Sequence, residues 1–379
     1  MVITQRRNAK IIPIAGGKGG VGKTELCANL GVRLGQLGCR TIVIDLDLGG
    51  SNLHSALGIK NKNPGVGNFL SDRKLSFESL LTPTPYPNVL FIPGDVLVAG
   101  TPNVGFAQKK SILRNIESLE ADYILLDLGS GASNNVIDFF LVSNSGILVS
   151  SPHVGAIINA YSFMKNAVFR FLQRAFSGET KVERVLRKQI KERRPGNPVK
   201  ISTVIEAMRE IDDGEAAKAQ RFVELLQPSL VLNLVRDMND LSIAESLRDL
   251  IDKNLGVELQ ALGMMVYDNE VASTYGARRP VVADDEQRLL SIEVDRLAQK
   301  IVQSPEFPTL ALATDMYEDS FELMRIEAQY DLAELQNVQS SAGAREYADA
   351  EEFLEVMSAQ KRQIKELQGT IRMLTMRQR

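Results

Sequence analysis

Cysteine is scarce in this chain, with only Cys27 and Cys39 among 379 residues. That rules out a disulfide-stapled scaffold and reads as two reduced, partly buried thiols of a cytoplasmic protein. It also leaves no cysteine pair beyond the first forty residues to hold an iron–sulfur cluster. No apolar run approaches the ~18–20 residues of a membrane span, and Met1 to Lys10 lacks the hydrophobic core of a secretory signal. The formal net charge of −3 excludes a protein that coats nucleic acid through bulk charge. Internal repeats are missing. What remains is ordinary for a globular chain: 44% hydrophobic and 24% charged residues. The length suits one large α/β domain of roughly 250–300 residues with an appendage.

Glycine is concentrated where it carries chemistry. Residues 17–24 read Gly17-Lys18-Gly19-Gly20-Val21-Gly22-Lys23-Thr24, a G-x-x-x-x-G-K-[ST] phosphate loop followed by Glu25. The apolar run Ile11-Ile12-Pro13-Ile14-Ala15 precedes it, and the helical spacing Leu26, Leu30, Leu34, Leu37 follows. A phosphate chain needs several backbone N–H groups converging on it, and glycines let the backbone come that close. The helix start adds a positive dipole end, Lys23 a point charge, and Thr24 a hydroxyl for Mg²⁺. The loop implies binding of a nucleoside triphosphate.

Two further strand ends carry carboxylates. Thr41-Ile42-Val43-Ile44 leads into Asp45-Leu46-Asp47, with Leu48-Gly49-Gly50-Ser51-Asn52-Leu53 beyond. Tyr123-Ile124-Leu125-Leu126 leads into Asp127, then Gly129-Ser130-Gly131. Carboxylates just past the carboxyl end of buried strands face the crevice where open α/β sheets bind ligands.

The order of apolar runs predicts strands at 11–15, 41–46, 89–92, 122–127, 146–151, 229–235 and 257–265. Helices are predicted at 24–38, 133–143, 154–175, 241–254 and 285–303. Such alternation means an α/β, doubly wound, mostly parallel sheet covered on both faces. Pro83-Thr84-Pro85-Tyr86-Pro87 reads as a loop, unable to join a helix or a ladder.

These motifs resemble the deviant-P-loop ATPases of the MinD/ParA class, over about residues 10 to 300. The segment Asp45-Leu46-Asp47-Leu48-Gly49 with Asn52-Leu53 is closest to the MinD/FlhG branch. The resemblance implies an ATP- and Mg²⁺-dependent homodimer with two nucleotides sandwiched between subunits. Lys18 would reach the partner's phosphates, Lys23 would hold its own, and Asp47 would position the attacking water. Asp45 and Asp127 would serve Mg²⁺ through waters, alongside Thr24. Leu230-Val231-Leu232-Asn233 resembles the strand whose asparagine reads adenine, and Ser151-Pro152-His153 a family turn with His153 in place of the usual acid. Leu262 to Asp268 resembles the last strand, with Val266 where the family carries proline.

Two stretches depart from that pattern. Residues 176–227 read as a helical insertion, opened at 181–194 by seven Lys/Arg against two Glu. Its basic face suits solvent, nucleic acid, anionic lipid or an acidic partner. The ATPase domain is expected to span 1–304 and a helical extension 305–379. Residues 314–356 are acidic and residues 361–379 basic. From residue 350 a heptad pattern places Ala350, Met357, Ile364 and Ile371 at a, with Phe353, Gln360, Leu367 and Leu374 at d. This tail predicts a helix that docks on a protein partner, with a membrane surface as the competing contact. The function so implied is a nucleotide switch that positions a cellular structure from the cytoplasm, peripherally at a membrane or cell pole. A nucleotide-bound scaffold with little hydrolysis, and an ATP-dependent ligase or amidotransferase of the same superfamily, stand as alternatives.

Overall fold

The computed structural model describes residues 9–94, 104–176, 200–268 and 279–304, with 181, 184–186, 188 and parts of 324–333. Everything else, including the heptad segment from 350 and most of the basic stretch 181–194, lies outside the described residues.

Buried β-branched and aliphatic runs build an eight-stranded sheet. Its strands are β1 (Lys10–Ala15), β2 (Thr41–Leu46), β3 (Thr82–Pro83), β4 (Val89–Ile92), β5 (Tyr123–Leu128), β6 (Ile147–Ser150), β7 (Ser229–Val235) and β8 (Gln260–Val266). The spatial order is β3-β4-β2-β5-β1-β6-β7-β8, and all pairings are parallel except β3 with β4. Strands 2 and 5 are buried at every position, as a sheet covered on both faces requires. The order reverses around β1, so the loop after it opens into the crevice where such sheets bind ligands.

The helices are α1 (Lys23–Gln36), α2 (Leu53–Ala56), α3 (Val66–Ser71), α4 (Phe106–Ser118), α5 (Asn134–Phe140), α6 (Val154–Ala175), α7 (Ile201–Arg209), α8 (Asp213–Glu224), α9 (Asn239–Leu255), α10 (Val281–Asp284) and α11 (Leu289–Gln303). Helix α4 occupies the stretch between β4 and β5, where no helix is expected from the sequence. Its polar Gln108, Lys109 and Lys110 mask the buried Ile112 and Ile116. The insertion carries α7 and α8, both amphipathic, and the described residues of its basic stretch are helical.

One expectation is corrected. Pro83 belongs to a ladder, since Thr82 pairs with Phe91 and Pro83 with Leu90. Proline lacks a donor, but the outer side of an edge strand needs none.

Two compact units divide between Asp331 and Leu332. The first therefore runs past Ser304 and includes the described helical residues between 324 and 331, with Met324 and Ala328 buried. Asp331 takes two bonds from Arg296 of α11 (2.7 and 2.9 Å), Glu327 pairs with Lys300 (2.7 Å), and Arg325 pairs with Glu245. Lys300 also donates to the Leu262 carbonyl of β8 at 3.0 Å.

Beneath these pairs lies Glu293, 2% exposed, accepting from Val266 N–H at 2.9 Å while its other oxygen has no partner. Burial, then the Asp331 charge, pushes its carboxyl well above the usual range. The folded state thus holds this proton more tightly than the unfolded chain, and stability is lost as pH rises through the folded value. Glu293→Gln is expected to match the wild type within about 1 kcal/mol below about pH 4, where the carboxyl is protonated in the folded and the unfolded chain alike. Denaturant melts at increasing pH should then favour the Gln variant progressively. A difference that stays constant from there to alkaline pH would show that the folded carboxyl titrates in the ordinary range.

Candidate functional site

The phosphate loop joins β1 to α1 and is pressed against α6. A Cβ at Gly17 would lie 2.2 Å from the Asn159 carbonyl oxygen, so only glycine fits between loop and helix backbone. Gly22, at φ 89°, turns the chain into α1, whose first internal bond runs from Leu26 N–H to Gly22 O at 2.9 Å. Gly131 N–H bonds Gly16 O at 3.2 Å, tying the loop after β5 to the loop after β1. Lys18, Gly19 and Gly20 are exposed, whereas Val21 and Lys23 are buried. The two lysines of one loop thus face different environments. Burial lowers the Lys23 pKa, while Asp127 and Asp47 oppose that shift by supplying negative charge.

The parallel register sets Asp45 of β2 beside Asp127 of β5, both with no exposed surface. Ser51 Oγ and Leu53 N–H donate to one Asp45 oxygen at 2.6 and 3.1 Å, and Asp47 N–H to the other at 3.1 Å. Asp45 therefore organises the whole turn 47–53. Ser51, which sequence reasoning passed over, closes that turn; its place beside Asn52 in a Gly-Gly-Ser-Asn run was the available signal. The Asp47 carboxylate is half-exposed and lies over Gly129, where a Cβ would sit 3.0 Å from its Oδ1. No described residue hydrogen-bonds it.

Asp127 has two buried oxygens without a hydrogen-bond partner. Burial and the Asp45 charge push its pKa well above the usual range, and the Thr24 hydroxyl and Lys23 offset this only in part. An orphaned buried carboxylate beside a threonine hydroxyl fits a hard divalent cation. Among the described residues no three His, Cys or acidic side chains converge on one point. Such a set suits Mg²⁺, which takes one or two carboxylates and completes its shell with phosphates and waters.

These carboxylates make binding pH-dependent. Asp45 is pushed up to about 6, by burial first, against the bonds from Ser51, Leu53 and Asp47. Because the folded value lies above the ordinary 3.8, the ligand-free protein loses stability as pH rises from about 4 to about 6. A cation favours the ionised form, so its binding releases protons in that window. The Mg²⁺-dependent part of ADP affinity is expected to fall about tenfold from pH 7 to pH 5. Calorimetry in two buffers of different ionisation heat would measure the released protons; affinity independent of pH would contradict the assignment.

Of the remaining predicted residues, Glu25 is half-buried with its pKa raised by burial, and Asn52 is exposed at the start of α2. His153 is exposed at the start of α6 and makes no side-chain cap bond. Asn233 comes closest to the loop. Its Nδ2 donates to Val21 O at 2.9 Å and its Oδ1 accepts from Leu234 N–H at 2.8 Å. Nearby, the Arg236 guanidinium stacks 3.9 Å from the centre of the Tyr267 ring.

A phosphate loop at the order reversal of a parallel sheet, with a buried lysine facing two strand-end carboxylates, defines a P-loop nucleotide-binding protein. The family described as the CobQ/CobB/MinD/ParA nucleotide binding domain matches residues 12–281, and the chain belongs to it, as a MinD/ParA-type P-loop protein. The flagellum site-determining protein YlxH of Helicobacter pylori is 30% identical over 165 residues, covering 42% of this chain and 53% of that one. The septum site-determining protein MinD of Bacillus subtilis is 27% identical over 150 residues, covering 39% and 56%. The chain thus spans about half the length of the curated relatives it matches. Among solved structures, MinD of Pyrococcus horikoshii, complexed with Mg-ADP, superposes with a TM-score of 0.53 at 20% identity, over 82% of this chain and all of that one. A ParA family ATPase from Chlorobium tepidum gives 0.52 at 15% identity, over 77% and 98%. These likenesses are of fold.

Proposed function

We propose that this chain hydrolyses ATP with Mg²⁺, switches between monomer and ATP-bound homodimer, and uses that switch to position a cellular structure. The observation that carries this reading is the pair of lysines in one loop. Lys23 is buried against the carboxylates of its own subunit, and Lys18 stands exposed on the rim of the same site. An exposed lysine so placed is available to phosphates that a second subunit presents. Phosphoryl transfer asks for charge neutralisation and positioning more than for covalent chemistry, and this set of groups supplies both.

Asp45, Asp127 and Thr24 are the residues that would hold Mg²⁺, which neutralises phosphate charge when bound. Asp47 orients the attacking water from its half-exposed position. Asn52 and Glu25 border the nucleotide. The relatives named for septum and flagellum sites support a positioning role, with the cargo set by contacts outside the nucleotide site. The heptad segment from 350 is proposed as the contact for a protein partner, and a membrane surface or DNA as competing contacts. No helix among the described residues is long and apolar enough to cross a membrane. The proposed place of action is the cytoplasm, peripherally at a membrane or cell pole.

Light scattering after gel filtration tests the switch, with ATP and with ADP. The dimer is expected with ATP only, and with it a slow phosphate release. A dimer that forms without phosphate release supports the scaffold reading instead. Turnover that requires an added carboxylate or amide acceptor supports the ligase reading.

A further inference from the structure

We infer that the helical segment 324–331 is a detachable strap on the nucleotide-binding domain, held down by the proton on Glu293 of α11. When that proton leaves, Arg296 is drawn from Asp331 to Glu293 and the strap lets go. None of these residues belongs to the nucleotide site, so the strap is independent of how that site is read.

Charged pairs tie the strap down. Asp331, 1% exposed, takes two bonds from Arg296, at 2.7 and 2.9 Å. Glu327 pairs with Lys300 at 2.7 Å, and Lys300 also holds the Leu262 carbonyl of β8. Arg325 pairs with Glu245 of α9. The two cations of α11 thus meet two strap anions, and these charges cancel only while Glu293 is neutral. Its buried Oε2 has no hydrogen-bond partner, which a protonated carboxyl tolerates far better than a carboxylate. Burial and the Asp331 charge favour the proton accordingly.

Loss of the proton has a defined outcome. β8 offers Glu293 one backbone N–H, from Val266, and Arg33 of α1 is already taken by Asp295 at 2.7 Å. The cation whose charge acts on Glu293 is Arg296, three residues along the same helix. A guanidinium fork grips one carboxylate at a time, so Arg296 turning to Glu293 leaves Asp331 buried and unpaired. A buried charge without a partner is strongly destabilising, and moving the strap into water relieves it. The strap's described apolar anchors, Met324 and Ala328, are few. After release, Ser304, whose carbonyl accepts from Lys10 at 2.8 Å, becomes the last anchor among the described residues. Residues 305–331 are then added to the tether of the heptad segment from 350.

Hydrogen exchange of the full chain, read by mass spectrometry from about pH 7 to about pH 10, tests the strap. Corrected for intrinsic amide rates, protection over 324–331 should fall about tenfold or more in the wild type while β5 stays protected. Glu293→Gln cannot ionise and should keep the strap throughout. Asp331→Asn removes the carboxylate that Arg296 grips and should free the strap already at about pH 7. Thermal melting confirms that both variants fold. The proposal is overturned if the wild type and Glu293→Gln lose protection at the same pH, or if both keep it. Loss that comes only together with β5 is global unfolding and overturns it equally. An Asp331→Asn strap as protected as the wild type removes the anchor itself.

Discussion

Lys23→Ala is expected to lose nucleotide affinity by about a hundredfold or more, whereas Lys18→Ala should bind ADP as the wild type does. The two residues differ in what surrounds them. Lys23 is buried, and its ammonium is the positive charge facing Asp127 and Asp47. Without it, an incoming polyphosphate meets a cluster of buried carboxylates with no fixed countercharge. Lys18 is exposed, outside that buried cluster. Its removal should appear only where two subunits meet, as loss of the ATP-dependent dimer and of hydrolysis. Titration with a fluorescent nucleotide measures the first effect and light scattering with ATP the second. A Lys18→Ala protein that dimerises and hydrolyses normally would remove the cross-subunit role.

The second large effect is expected at Asp47. Asp47→Ala should bind ATP, form the dimer and remain in it, with single-turnover hydrolysis slowed by about 10²-fold or more. The structure separates this residue from its neighbour. Asp45 accepts three hydrogen bonds that shape the turn, so its loss would disorganise the site. The Asp47 carboxylate carries no such bond and packs over Gly129, so its loss takes away water positioning and leaves the turn. Removing a negative charge near Asp45 and Asp127 should also leave the ligand-free protein at least as stable as before. Unchanged single-turnover hydrolysis would move the water-positioning role to another residue near Gly129.

Much of this site is legible in the sequence because its parts are local. The phosphate loop is contiguous, and each key aspartate ends an apolar run that can only be a buried strand. The parallel order follows from the same runs. What escapes is set by distance along the chain or by context. Asn233 and Val21 are far apart in sequence, and nothing in either segment reveals that the amide of one will bond the carbonyl of the other. Ser51 looks like a loop residue until Asp45 is seen to need a donor. Helix α4 hides its two buried isoleucines among lysines and glutamine, so its periodicity is weak over a short window. Pro83 misleads for a different reason, since the rule against proline in a ladder holds only where both sides of the strand have partners.

Both borders of the sheet carry a guard against a further strand. At one, β3 is two residues long and carries Pro83, which offers a further strand no donor. At the other, the Lys300 ammonium takes the Leu262 carbonyl of β8 and is itself held by Glu327. A protein proposed to act by gathering at one place must endure its own crowding there. With both described borders hindered in this way, strand addition by a second copy is disfavoured there, which suits a chain that gathers and then disperses when the nucleotide is spent.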